Sequence, residues 1–154
     1  MKLVVGIVCV GICTFLGYLL SDKYLKRKNF FANFSSFNKK FIAEVNFSRS
    51  TLIEIIKDET DTNDDFYSGI TPILNNQKPN FSYSYLKKEE KEFINKYFDS
   101  IIGVDEKNLS NHLNYSMEKI GEFYNNALLD EKKYRTLYIK LGFLIGLIAL
   151  IILI

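Results

Sequence analysis

The chain has no tryptophan, two prolines, two cysteines, one histidine and eight glycines in 154 residues. So little cysteine excludes a disulfide scaffold. So little glycine and proline excludes collagen-like and low-complexity chains. A net charge of +2 gives no bulk positive field for holding nucleic acid. Active-site parts are also scarce. Cys9 and Cys13 both fall in an uncharged run, which leaves residues 21–140 without a thiol nucleophile or metal ligand. Only Gly69, Gly103 and Gly121 lie in that stretch, too few for a glycine-rich phosphate loop. The lone His112 stands beside a helical apolar stripe, where a packed or surface imidazole is expected. Carboxylates occur without a paired acid–base site. In the acidic stretch 58–65, Asp61-Thr62-Asn63-Asp64-Asp65 begins like a calcium loop. Phe66 stands where that loop needs glycine and Pro72 where it needs glutamate, so a solvated loop or helix start is expected instead. No enzyme, metal or cofactor is expected.

What the chain does have is two long apolar runs, one near each end. Residues 3–20 carry no charge and nearly reach the length of about 20 apolar residues that a membrane span needs. Residues 141–154 rise only about 21 Å as a helix, short of a core of about 30 Å. Leu137, Tyr138 and Ile139 lengthen this second run if Lys140 snorkels to the headgroups. A cleaved signal peptide does not fit the first run, because no small-residue cleavage site follows Leu20 and the charge lies on the wrong side. A core helix apolar all round, as the second run would be, needs more chain to cover it. The basic residues Lys23, Lys26, Arg27 and Lys28 follow the first run, and Lys132, Lys133, Arg135 and Lys140 flank the second. The positive-inside rule then puts residues 21–140 in the cytoplasm, both termini outside, and these cations at the lipid headgroups as anchors. The expected domains are an N-terminal span 1–20, a cytoplasmic helical domain 21–140 and a C-terminal span 141–154 extended back to about 137.

Small residues form a helical stripe in each run. Gly6, Cys9, Cys13 and Gly17 line the first, and Gly142, Gly146 and Ala149 the second. Such faces let helix backbones approach in lipid. They are expected to meet, either within one chain or between copies in a homo-oligomer.

The central part reads as all-α, a small helical bundle between the spans. Phe30, Phe31, Phe34, Phe37, Phe41, Ile42 and Val45 recur at helical spacing, and this helix ends near Phe47. Thr51 and Glu54 form a capping box for a short helix over 52–57. Phe66, Tyr67, Ile70, Ile73 and Leu74 suit one or two helical turns. Pro72 and Pro79 bracket a loop. Another helix is expected over 86–102, with a solvated start at 87–92 and a Glu92–Lys96 pair. Gly103 suits the position after its end, and Asp105 the N-cap of the next, which makes an antiparallel hairpin. The last helix places Leu109, Leu113, Met117, Ile120, Tyr124, Ala127, Leu128, Tyr134, Leu137 and Tyr138 on its apolar face. No proline interrupts it from Glu106 onward. It is expected to run into the second span for about 70 Å, with Gly121 as its weak point at about 1 kcal/mol against alanine.

These features together resemble the stage III sporulation protein AB family. The resemblance is carried by Lys133-Tyr134-Arg135-Thr136-Leu137-Tyr138, then Leu141-Gly142 and Gly146-Leu147 before an Ile- and Leu-rich end. Glu44-Val45 and Thr51-Leu52 are similar to two earlier family elements, with Leu52 in place of a proline. Ile102-Gly103-Val104-Asp105 is similar to the family's turn, one residue shorter and lacking its serine. The resemblance implies a non-catalytic platform or adaptor in the mother-cell membrane around the forespore, within the channel complex needed for endospore formation. It implies a cytoplasmic part similar to inner-membrane platform proteins of type II secretion. It also implies, as partners, a cytoplasmic hexameric ATPase (stage III sporulation protein AA) and other membrane subunits. A membrane-anchored signalling subunit with a helical sensor domain is the alternative.

Overall fold

The computed structural model describes residues 2–47, 52–59, 64–101 and 106–153, and among them it is all-α with no strand. The helices are α1 (Lys2–Phe47), α2 (Leu52–Glu59), α3 (Asp65–Ile70), α4 (Lys88–Ile101), α5 (Glu106–Asp130) and α6 (Thr136–Leu153). A 3₁₀ turn, Thr71–Asn75, follows α3. A π turn, Glu131–Arg135, joins α5 to α6, so the last helix is long and continuous. Thr51, Gly103 and Asp105 lie outside the described residues. The chain divides into two compact units, Met1–Lys28 with Asn126–Ile154, and Asn29–Asn125.

The unit Asn29–Asn125 is built on aromatic rings. The α1 stripe buries Phe30, Phe31, Phe34, Phe37 and Phe41 completely or nearly so. Phe34 is central. Its ring lies 5.0 Å from Tyr97 edge-on and 5.1 Å from Phe66 in a stack. Each such side chain contributes about 1.5–3 kcal/mol by burial, and each well-placed ring pair about 0.5–1.5 kcal/mol more. The turns that deliver these rings have local causes. Asp64 caps α3, its carboxylate accepting the Phe66 N–H at 2.8 Å. Pro72 opens the 3₁₀ turn, and Asn76 closes it at φ 56°, a left-handed conformation that asparagine tolerates. At Gly69 a Cβ would lie 2.5 Å from the Phe81 ring, so only glycine lets that ring close on α3.

Three details of this unit differ from the sequence expectation. The helix expected from 86 begins at Lys88, and Glu90 is buried where a solvated start is expected. The cause is a cap, in which the Glu90 carboxylate turns back to accept the Lys87 N–H at 2.8 Å. Glu92 then pairs with Lys88, at 3.9 Å, rather than with Lys96. On α5 the inward stripe runs through Leu113, Ser116, Ile120 and Phe123, while Met117 is exposed. Alternating steps of three and four hold one face at 3.6 residues per turn, and that phase selects Phe123.

In the other unit α1 and α6 run antiparallel. Gly17 lies against Tyr138 and Gly142, Val10 against Gly146, and Gly6 against Leu150. The irregularity in the last helix falls at Glu131–Arg135. Gly121, the expected weak point, sits in regular helix. The π turn has a geometric consequence. At about 100° per residue, Gly146 would stand about 100° round the helix from the buried Ala127. A π turn holds about one residue more than an α turn and rotates the rest of the helix back by about that angle. Gly142 and Gly146 are thereby buried, while their neighbours Leu141 and Ile145 stay exposed.

Candidate functional site

The two-helix unit gathers most of the residues singled out in the sequence. A Cβ on Gly142 would lie 2.5 Å from the Cys13 carbonyl oxygen, and one on Gly17 2.5 Å from that of Tyr138. Backbone touches backbone there, which is how helices associate where apolar burial gives no driving force. Gly146 is similarly close to Val10. Cys9, Cys13 and Ala149 are half-buried along the seam, and both cysteines are free thiols. Span hydroxyls satisfy themselves, Thr14 donating to the Val10 carbonyl at 2.8 Å and Ser21 to that of Tyr18 at 2.7 Å.

Beyond the uncharged run lies a collar of tyrosines and cations. Tyr24 stacks on Tyr134 at 5.2 Å and on Tyr138 at 5.9 Å. Lys23 sits 5.1 Å over the Tyr24 ring, Lys133 5.1 Å over Tyr134, and Arg135 5.9 Å over Tyr18. Burial, with a hydrogen bond to Tyr138, pushes the Tyr24 pKa up to about 12, so it keeps its proton at neutral pH. Lys26 pairs with Asp22 at 3.5 Å and Arg135 with Glu131 at 3.0 Å. Lys132 and Lys140 are exposed, and Lys28 is half-buried. Tyrosine with Lys and Arg is the composition of a membrane–water boundary.

Arg27, grouped in the sequence with these anchors, is turned inward. It is 4% exposed, and its Nη1 donates to the Asp130 carboxylate at 2.6 Å. The reason is phase, because Arg27 continues the inward stripe of Gly17, Ser21 and Tyr24, opposite the Asp130 carboxylate. Removing either partner of such a pair leaves a buried charge uncompensated.

In the unit Asn29–Asn125, one polar node escapes the apolar pattern. The Tyr97 hydroxyl donates to Asn38 Oδ1 at 2.7 Å, and Asn38 Nδ2 donates to the Leu113 carbonyl at 3.2 Å. All three residues are buried, and burial raises the Tyr97 pKa. The node ties α1, α4 and α5 together. Its sequence signal is a polar residue four after Phe34 and three before Phe41. His112 meets Ser100 Oγ at 2.6 Å, and that hydroxyl already donates to the Tyr97 carbonyl. Asp65 accepts the Tyr85 hydroxyl at 2.6 Å. Glu54 is exposed on α2. Among the described residues, no three His, Cys, Asp or Glu side chains are placed to hold a metal ion.

Two described helices, Val4–Val45 and Leu109–Ile152, are long and apolar enough to cross a membrane. A soluble core helix passes the same length test but is mostly buried. Here only 17% and 11% of the apolar windows are buried. An all-α protein with two exposed apolar helices beside a ring-packed unit fits a membrane protein. The chain belongs to the stage III sporulation protein AB family, whose model matches residues 59–154. The match takes in α3 to α6, with the Ile102–Asp105 and Lys133–Gly146 motifs, and Glu44-Val45 and Thr51-Leu52 lie ahead of it. Membership supports a role in sporulation, and the family is not a known enzyme family. Comparison with curated proteins and with solved structures gives no match.

Proposed function

We propose that this chain is a non-catalytic membrane adaptor of the channel between mother cell and forespore, its central unit facing the cytoplasm and docking a secretion-type ATPase. The observation that carries this reading is continuity. α1 belongs to both units, and α5 continues through the π turn into α6. Each apolar span is therefore one helix with an element of the ring-packed unit, and a partner seated on that unit acts on the spans through helix backbone. The basic collar supports the orientation by the positive-inside rule. The partner is the hexameric ATPase named stage III sporulation protein AA. Capture of the tagged full-length chain from sporulating cells in mild detergent is expected to bring down that ATPase. Its absence, together with no association between the two purified full-length proteins, would overturn the docking.

A further inference from the structure

Between α1 and α6, open to the outside, lies a groove of about 400 Å³, lined by Thr14, Ile139, Lys140, Phe143 and Leu144. Its floor is hydrocarbon, because the Thr14 hydroxyl is committed to the Val10 carbonyl. Tyr18 and Arg135 stand one turn further along α1 and α6, where the guanidinium lies 5.9 Å over the ring. Arg135 is engaged with Glu131. Lys140 is exposed, with no hydrogen bond or ion pair among the described residues.

The depth of Lys140 decides what fits. Gly17 touches the backbone of both Tyr138 and Gly142, so Lys140 stands at the level of Gly17. That is about 4.5 Å inside Leu20, the last residue of the uncharged run. An ammonium there reaches the headgroup layer only by extending toward the collar. A helix of another subunit seated in the groove would have to bring its own carboxylate to this depth to partner the cation. A lipid chain fills the groove and brings its own phosphate to the right depth.

We propose that this groove is a site for one anionic phospholipid, its acyl chain against Ile139, Phe143 and Leu144 and its phosphate held by Lys140. This rests on reading α1 and α6 as membrane spans. The test is native mass spectrometry of the full-length protein released from nanodiscs of equal phosphatidylglycerol and phosphatidylcholine with identical chains. The wild type is expected to retain phosphatidylglycerol in roughly fivefold preference, the factor that one lysine at a lipid surface supplies. Lys140→Gln should lower that preference about fivefold, whatever the other collar cations add, while Lys140→Arg keeps it. Free glycerol phosphate should not displace the lipid, since it has no chain for the groove. Equal retention of both lipids by the wild type, an undiminished preference in Lys140→Gln with helix content intact, or displacement by glycerol phosphate would overturn the site. Retention of no lipid at all would overturn the membrane reading with it.

Discussion

The two units of this chain are held together by side chains of opposite size. In Asn29–Asn125 the contacts are made by large rings, with Phe30, Phe31, Phe34, Phe37, Phe66 and Phe98 almost wholly buried. In the two-helix unit the large side chains point outward and the contacts are made by Gly17, Gly142 and Gly146. The solvent explains the inversion. Water rewards removal of apolar area, so bulk at the centre stabilises. Lipid tails are as apolar as leucine, so only close backbone approach distinguishes the paired state.

Substitutions that reverse the size rule in each unit separate the two. Phe34→Ala should have the largest effect, about 3–5 kcal/mol, seen as early loss of near-ultraviolet tyrosine signal on heating. Full retention of that signal would contradict a ring-held core. Gly142→Leu should cost about 1–3 kcal/mol by overpacking and act on the spans alone. Spin labels at Leu19→Cys and Leu137→Cys, with Cys9 and Cys13 replaced, should show one narrow distance in the parent and a broad one in Gly142→Leu. An unchanged distribution would mean that the seam does not hold the pair.

Tyr97→Phe should cost about 1–3 kcal/mol, because it leaves buried Asn38 Oδ1 without its donor. It carries a pH signature. Burial raises the Tyr97 pKa above its ordinary 10.0. The stabilisation linked to its proton is then fully present below pH 10 and lost as pH rises toward the folded-state value. Midpoints of urea unfolding should hold up to about pH 10 and decline above it. Tyr83 and Tyr85 are raised by burial in the same direction, so the decline should be shallower in Tyr97→Phe but not absent. An identical decline in both proteins would remove Tyr97 from the linkage.

Much of this architecture is legible in the residue pattern, and the parts that are not share a cause. Periodicity finds helices, so the end of α1 at Phe47 and the short helix after it are readable. So is the unbroken run after Glu106. Periodicity is a property of one helix at a time. It therefore misses what a second helix supplies, such as Asp130 opposite Arg27 or the Leu113 carbonyl opposite Asn38. The glycine stripes are visible in sequence, but their choice between pairing within a chain and between copies needs the antiparallel register. The π turn is also hidden, because Glu131-Lys132-Lys133-Tyr134-Arg135 contains no proline or glycine. Its only trace is a phase slip of about 100° between Ala127 and the buried glycines. Met117 leaves the expected apolar face for a simpler reason, since taking every fourth residue drifts off a face that repeats every 3.6.

Docking an ATPase from the cytoplasm requires the ring-packed unit to face that compartment, and cysteine accessibility measures this. Ser84 is exposed in the unit Asn29–Asn125. With Cys9 and Cys13 replaced, Ser84→Cys should resist a membrane-impermeant maleimide in right-side-out vesicles and react fully in inside-out ones. Labelling in right-side-out vesicles would contradict both the orientation and the adaptor role.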